Sequence, residues 1–370
     1  MATEKHDFGT TSITCHSFSA DRNQLALSQN DNEVKIFKKQ GMKFQETGTL
    51  TEHGQRVTGI DWAPKSNRIV TCGADRNAYV WTVQGGKWEP LLVILRINRA
   101  ATCVKWSPQE NKFAVGSGAR IISICYFEDQ NNWWVSKHIK KPIRSTVTCL
   151  DWHPNNVLIA AGSTDFKARI FSTYIKDIEE KPSSTVWGNK MTFQSLMAEF
   201  SNGAGGWVHA VSFSPGGDKL AWVGHDSSIS IADAANGNRL SVVKGNFLPF
   251  VDITFVTENS LVAVGYDCCP KLFSLKAGEL HFVHDLDIPD EKEQMTKSAM
   301  MRFKDLDRKA TTDDTTVDLR TQHQNTITQV SIYAGDKSNC SKFSTTGVDG
   351  NLIIWDLKGL ERSMAGLKIV

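Results

Sequence analysis

Short apolar segments that end in a large apolar or aromatic residue recur along the chain at a nearly constant interval. The seven segments end at Phe18, Trp62, Trp106, Trp152, Phe213, Phe255 and Ile332. In the first four, a Thr stands four residues before the aromatic, and successive aromatics lie 44, 44 and 46 residues apart. An interval of about 40 to 45 residues predicts a fold built from repeated supersecondary units.

A second pattern marks a later strand of each unit, where an Asp is followed six residues on by the end of an alternating apolar segment. These segments run from Asp31 to Phe37, Asp75 to Trp81, Asp165 to Phe171, Asp267 to Phe273 and Asp349 to Trp355. With a more variable outer strand after it, each unit is predicted to contain four short strands, as a β-propeller blade does. We therefore predict an all-β fold, a single seven-bladed β-propeller over residues 1–370.

The last blade lacks a fourth strand after Leu357, so a terminal segment has to supply one. We expect the segment His6 to Thr11 to do so, rather than the tail Leu360 to Val370. A strand from the N-terminus joins the two chain ends in one blade and protects the blade's edge.

An Asp recurs at the same place in most units and suggests a catalytic interpretation, because paired carboxylates can act as acid and base. One Asp at the same place in each turn is better explained by side-chain hydrogen bonds to turn amides or to a nearby His. The residues assigned this structural role are His53, Asp75, Asp165, Asp267, His323 and Asp349. Cys15, Cys103 and Cys149 lie in first strands, where crowding around a central channel favours small, inert side chains.

Two insertions interrupt the repeat, and long loops on a compact scaffold often carry function. The smaller insertion, residues 174–206, is expected between blades four and five, and the spacing within Met191 to Phe200 suggests a short helix. Packing on the propeller and contact with a partner both remain open for it.

The larger insertion, residues 288–325, is expected between blades six and seven. Its apolar residues Met295, Ala299, Met300, Phe303 and Leu306 recur at helical spacing and predict a short amphipathic helix. A closed propeller does not need this stripe, which resembles a helix that docks into a partner's groove. The alternative is a helix that lies flat on the propeller.

Composition excludes several function classes. The balance of 42 basic and 40 acidic side chains gives a net charge of +2, so bulk charge supports no nucleic-acid or membrane partner, although local basic patches remain open. The N-terminus lacks an apolar leader, and no apolar run approaches membrane-helix length. The eight cysteines form no C-x-x-C pair, and phosphate-loop, nucleophile-elbow and zinc-protease motifs are missing, so we expect no metal, no cofactor and no enzyme activity.

A basic cluster of Lys137, Lys140, Lys141 and Arg144 lies between the third and fourth units. It has the charge to receive an acidic segment, but runs of charge in connecting loops are commonly just solvated.

Several long, non-repeating strings resemble one particular family. They are Ile60 to Ser66, Cys72 to Trp81, Leu95 to Ala101, Trp133 to Lys141 and Asp151 to Asn156. They are similar to the WD-repeat subunit, often called subunit one or the forty-kilodalton subunit, of the actin-related-protein complex that nucleates branched actin filaments. The resemblance runs from Ile13 to the C-terminus and includes both insertions.

This resemblance implies a non-catalytic scaffold in the cytoplasmic actin cytoskeleton, at the cell cortex and lamellipodia, with a further nuclear pool. Its implied partners are the other subunits, the actin filament and the acidic tails of nucleation-promoting factors. Filament contact is implied for Met295, Ala299, Met300, Met301, Arg302, Phe303 and Leu306, and activator contact is assigned to the basic cluster. The competing hypothesis is a WD-repeat adaptor of another assembly, such as a ubiquitin-ligase substrate receptor.

Overall fold

The computed structural model of the protein describes residues 3–202, 205–287, 319–363 and 369. Seven four-stranded antiparallel sheets make up most of these residues. The innermost strands of neighbouring sheets contact one another around a full circle, which closes where the last sheet meets the first. The predicted seven-bladed propeller is therefore confirmed, and a channel runs through its centre.

Each blade is numbered from its innermost to its outermost strand. Blades one to three contain β2 (Cys15–Phe18), β3 (Gln24–Ser28), β4 (Val34–Gln40), β5 (Lys43–Leu50), β6 (Val57–Trp62), β7 (Ile69–Gly73), β8 (Ala78–Gln84), β9 (Lys87–Val93), β10 (Ala101–Trp106), β11 (Lys112–Ser117), β12 (Ile122–Glu128) and β13 (Trp133–Ile139). Blades four to six contain β14 (Val147–Trp152), β15 (Leu158–Ser163), β16 (Lys167–Ser172), β17 (Leu196–Ser201), β18 (Val208–Phe213), β19 (Lys219–Gly224), β20 (Ile229–Asp233), β21 (Arg239–Val243), β22 (Phe250–Phe255), β23 (Ser260–Gly265), β24 (Lys271–Lys276) and β25 (Glu279–Asp285). Blade seven contains β26 (Ile327–Ala334), β27 (Lys342–Gly347), β28 (Asn351–Asp356) and β1 (Thr3–Asp7).

Burial on both faces explains why the second strand of a blade is continuously small or apolar in sequence. Strands β7, β11, β15, β19 and β23 are buried along their whole length. Each lies between two neighbouring sheets, so both of its faces need small or apolar side chains, as in Ile69–Gly73. Outermost strands such as β5 are mostly exposed, which explains their variable sequence.

The N-terminal segment closes the ring, as predicted, because β1 pairs antiparallel with β28. The strand itself is Thr3–Asp7, earlier than the expected His6 to Thr11. The chain turns directly after it, where Asp7 Oδ1 accepts a hydrogen bond of 2.7 Å from the Gly9 amide and Gly9 adopts a φ of +100°. After β28, residues Leu357–Ser363 form helix α1, which buries Leu357 and Leu360.

The smaller insertion corrects two expectations from the sequence, that it contains a short helix and that residues 174–206 lie between blades four and five. The segment Met191 to Phe200 forms no helix, because Leu196–Ser201 pairs with β16 as the outermost strand of blade four. The inserted residues lie inside that blade, between its third strand β16 and its fourth strand β17. Trp187 and Met191 are buried there, and Trp187 Nε1 donates a hydrogen bond of 2.7 Å to the Gly217 carbonyl of the next blade. The described loop thus packs on its own propeller.

Most of the larger insertion, residues 288–318, lies outside the described residues, and the helical insertion expected between blades six and seven lies with it. Residues 319–325 lead into β26. The described residues contain no helix long and apolar enough to cross a membrane.

The contribution of β1 to closure can be measured by removing it. Deleting residues 1–8 leaves the edge of β28 unpaired, so we expect the melting temperature to fall by several degrees, about 5 °C. The control change Lys5→Ala removes an exposed side chain but keeps the strand, and should melt within about 1 °C of the native chain. A truncated chain that melts like the native one would show that β1 adds nothing to closure.

Candidate functional site

The ring presents two faces, which we define by the direction of the innermost strands. The top face is the one at which each innermost strand begins. It carries the turns between second and third strands and the loops that lead into the next blade. The bottom face carries the turns that follow the first and third strands. All predicted turn residues therefore belong to the top face, as do Lys140, Lys141 and Arg144 of the basic cluster, whereas Lys137 lies within the outermost strand β13.

Two blades contain a four-residue hydrogen-bond chain that starts at the turn aspartate. In blade two, His53 Nδ1 lies 3.0 Å from Asp75 Oδ2 and His53 Nε2 lies 2.8 Å from Thr71 Oγ1, which also accepts a bond from Trp81 Nε1. Blade seven repeats the chain with Asp349, His323, Thr345 and Trp355.

These hydrogen bonds engage both carboxylates and both imidazoles within the fold. Burial lowers the pKa of His53 despite the opposing charge of Asp75. Burial alone would raise the pKa of Asp349, but the hydrogen bond and charge of His323 outweigh it and hold that pKa below its usual range. These contacts support a structural role for the four predicted residues.

The other two predicted turn aspartates have different partners. Asp165 accepts two bonds of 2.9 Å from Arg169 Nη1 and one from the Arg144 amide. Asp267 lies 3.5 Å from Lys271 Nζ. Neither has a His partner among the described residues, but both carboxylates are engaged within the fold.

The central channel has a volume of about 490 Å³ and is lined by the innermost strands. The thiols of Cys15 and Cys103 lie in this lining, and burial raises their pKa values to about 12 and about 11. Burial also raises the pKa of Cys149. Such thiols stay protonated and are poor nucleophiles.

Threonines of four innermost strands bond their blade to the next, a role that sequence reasoning missed. Their hydroxyls donate to a backbone carbonyl at or next to the start of the next innermost strand. The bonds are Thr58 Oγ1 to Ala101 O at 2.9 Å, Thr102 Oγ1 to Val147 O at 2.6 Å, Thr148 Oγ1 to Val208 O at 2.5 Å and Thr328 Oγ1 to Ile13 O at 2.8 Å. The signal was present in the sequence, since the first repeat pattern begins with this Thr.

Carboxylates in the channel make the same connection to backbone amides. Asp61 Oδ2 accepts a bond of 2.7 Å from the Trp106 amide, and Asp151 and Asp252 accept from the amides of later blades. Burial raises the pKa of Asp252 to about 6. On the bottom side, Lys337 Nζ reaches from blade seven to within 2.6 Å of Asp151 Oδ2. These polar groups hold blades together and form no metal site among the described residues.

His16 joins the first and last blades. Its backbone amide donates to Gln329 Oε1 at 2.8 Å, and its ring lies 3.0 Å from Thr346 Oγ1 and 3.3 Å from Ser344 Oγ. Burial lowers the pKa of His16 to about 3, so the ring is uncharged.

Three of the four residues of the basic cluster are exposed at the rim of the top face. Lys140 and Lys141 follow the outermost strand β13 and are exposed. Lys137 is half-buried over the Tyr126 ring and lies 3.4 Å from Asp177 Oδ2, while Arg144 is exposed on the way into β14. The residues predicted to contact the filament, Met295, Ala299, Met300, Met301, Arg302, Phe303 and Leu306, lie outside the described residues.

Comparison with known proteins shows which families and chains this sequence is similar to. Residues 44–82 and 136–172 match the family model described as WD domain, G-beta repeat. The chain is 60% identical over 367 residues to "Actin-related protein 2/3 complex subunit 1A-B" of Xenopus laevis, with 99% of both chains covered. It is 43% identical over 366 residues to "Actin-related protein 2/3 complex subunit 1" of Schizosaccharomyces pombe, covering 92% of this chain and 96% of that protein. A protein of Arabidopsis thaliana named "Actin-related protein 2/3 complex subunit 1B" is 42% identical over 372 residues, covering 95% and 96%.

The uncharged state of His16 predicts a loss of stability in mild acid. Its folded pKa lies below the unfolded value of about 6.5, so its contribution is complete above pH 6.5 and is lost as pH falls toward 3. At pH 5 the loss amounts to about 2 kcal/mol. Denaturant unfolding at pH 7 and pH 5 should show that His16→Gln loses about that much less stability than the native chain. The control His281→Gln, an exposed residue of β25, should follow the native chain. Identical pH dependence in all three proteins would contradict the assignment.

Proposed function

The chain belongs to the family of actin-related protein 2/3 complex subunit 1, and we propose on that premise that it is the non-catalytic propeller scaffold of such a complex. The observation that carries the proposal is the similarity over 367 residues, which spans the blades and both insertions rather than the WD repeats alone. The family resemblance read from the residues is thereby confirmed, and the protein is a cytoskeletal structural subunit.

The polar chemistry of the ring supports a scaffold. The described channel carboxylates and the turn aspartates bond to amides, histidines or cations of the fold itself, as at Asp61, Asp75 and Asp165. The channel thiols have raised pKa values. A convergent set of free polar groups, which an enzyme needs, is not formed by these residues.

A contact with the filament is the first finer part of the proposal. The stripe of Met295, Ala299, Met300, Phe303 and Leu306 has the spacing of an amphipathic helix and lies outside the blade repeat. Methionines adapt to a partner's groove, and an aromatic is a common anchor there.

A contact with acidic activator tails is the second finer part. Lys140 and Lys141 are exposed at the rim and make no ion pair among the described residues. Their charge is therefore available to a partner.

The paired change Phe303→Ala and Met300→Ala tests the filament contact and complex membership together. Affinity purification and mass spectrometry of the native chain should recover the actin-related subunits, whereas ubiquitin-ligase components would favour the adaptor hypothesis. The double variant should recover the same subunits but bind filaments about 30-fold more weakly and form fewer branches, because a buried aromatic anchor contributes about 2 kcal/mol. Asp314→Ala in the same segment, off the stripe, is the matched control. Normal branching by the assembled double variant would refute the filament contact.

Charge reversal tests the activator contact. Lys140→Glu with Lys141→Glu should weaken binding of an acidic tail several-fold at low salt and little at high salt, because exposed charges are screened within about 10 Å at 0.1 M. The control pair Lys43→Glu and Lys87→Glu makes the same charge change at exposed positions on the bottom face. Equal affinities for the two double variants at low ionic strength, measured by fluorescence titration, would show that the cluster is a solvated loop.

A further inference from the structure

We propose that the top face of blades two to six is the surface on which another subunit docks, and that this partner presents carboxylates around an apolar socket. The inference rests on the proposed membership of a complex and adds which face of the ring is used and what chemistry covers it.

Five exposed arginines collect on this part of the top face. They are Arg56, Arg76, Arg99, Arg120 and Arg144. None of them forms an ion pair with a carboxylate of the described residues. The chain has 28 lysines and only 14 arginines, yet five of the arginines stand here. Arginine binds carboxylates through two parallel hydrogen bonds, which lysine cannot do.

The arginines lie on neighbouring blades and not at scattered sites. The Arg56 carbonyl accepts a hydrogen bond of 2.8 Å from Ala74, two residues before Arg76. Likewise, the Ala100 carbonyl, next to Arg99, accepts one of 2.9 Å from Gly118, two residues before Arg120. Each of blades two and three therefore presents a loop arginine beside a turn arginine.

The turn arginines occupy backbone positions that do not suit large side chains. Arg76 and Arg120 have φ values of 71° and 61°, and Phe166 holds the equivalent position in blade four with a φ of 67°. Blade seven has Gly350 there, with a φ of 75°. Ser227 and Cys268 hold this position in blades five and six with φ values of 62° and 57°, so the left-handed turn belongs to the repeat. Blades two to four differ in placing a large exposed side chain there.

Exposed apolar residues continue the surface over blades four to six. Phe166 is 41% exposed, Trp207 50%, Leu248 53% and Tyr266 44%, all in top-face loops or turns. The Trp207 ring lies 5.8 Å from the His225 ring, which supports it from the neighbouring turn. An aromatic sector thus adjoins the arginine sector.

The exposed arginines and the adjoining aromatic residues together indicate the kind of partner. Arginine and aromatic residues are enriched at protein interfaces and supply most hot spots, whereas lysine is depleted there. The nearby turn aspartates do not neutralise the arginines, because Asp75 bonds His53 and Asp165 bonds Arg169. Charge complementarity therefore calls for a protein surface with carboxylates opposite blades two and three and an apolar socket opposite Trp207.

Two experiments on the assembled complex test the docking surface. First, Arg99→Glu with Arg120→Glu should reduce co-purification with the other subunits at least about tenfold at low salt. The Lys43→Glu and Lys87→Glu pair should co-purify as the native chain does. Second, a photoreactive phenylalanine analogue in place of Phe166, in the aromatic sector, should crosslink to another subunit at apolar residues that Glu or Asp residues flank. The same analogue in place of Trp133, an exposed rim residue of β13, should not.

The outcomes separate this inference from the proposed function. If the native chain recovers no other subunit, complex membership fails and the inference fails with it. If the native chain recovers the complex and Arg99→Glu with Arg120→Glu does so equally well, only the docking surface is refuted. A position-166 crosslink that forms with an added activator tail or lipid vesicle, and not with a subunit, also refutes it.

Discussion

The ring depends on satisfying the backbone groups that each innermost strand leaves unpaired toward the channel. An innermost strand has a sheet neighbour on one side only, and buried amides and carbonyls without partners are costly. Side chains of the preceding blade supply these partners, with Asp61 accepting from the Trp106 amide and Thr102 donating to the Val147 carbonyl. Blade-to-blade contact is therefore specified by hydrogen bonds as well as by apolar packing.

This constraint explains the polar residues inside otherwise apolar strands. Thr58 and Asp61 are the two half-buried positions of the otherwise buried strand β6, and both side chains bond the backbone of the next blade. The same arrangement accounts for the raised pKa of Asp61, because burial outweighs the nearby charge of Lys105. The bond from Lys337 to Asp151 adds a link across the channel, so the ring is held at its seam and also between distant blades.

The sequence was sufficient for the number of blades, the strand order within them and the two His–Asp pairs, because these follow from a period and from local turn chemistry. It was not sufficient for the partners of Thr58 or Asp61, which belong to the next blade and require knowledge of ring geometry. The segment Met191 to Phe200 was misassigned because its spacing also fits a helix, and pairing with the open edge of β16 decides for a strand. His6 to Thr11 was placed too late because the sequence does not show how much chain the turn at Gly9 needs.

Departures from the repeat divide the top face into structural and exposed positions. In blades two and seven, the turn aspartate bonds the His of a His–Thr–Trp hydrogen-bond network. Blade seven has Gly350 at the left-handed position of the turn. Blade three has Ala119 in place of the Asp and Arg120 after it, and blade four has Phe166 at that position. A propeller closed by seven similar blades does not need every turn to be optimal, because the contacts between innermost strands secure the ring elsewhere. The turn aspartate bonds within the fold in blades two and four, and the residue after it, Arg76 or Phe166, still faces solvent. Structural and exposed positions are therefore adjacent in these turns, and on these blades the arginine and aromatic sectors meet.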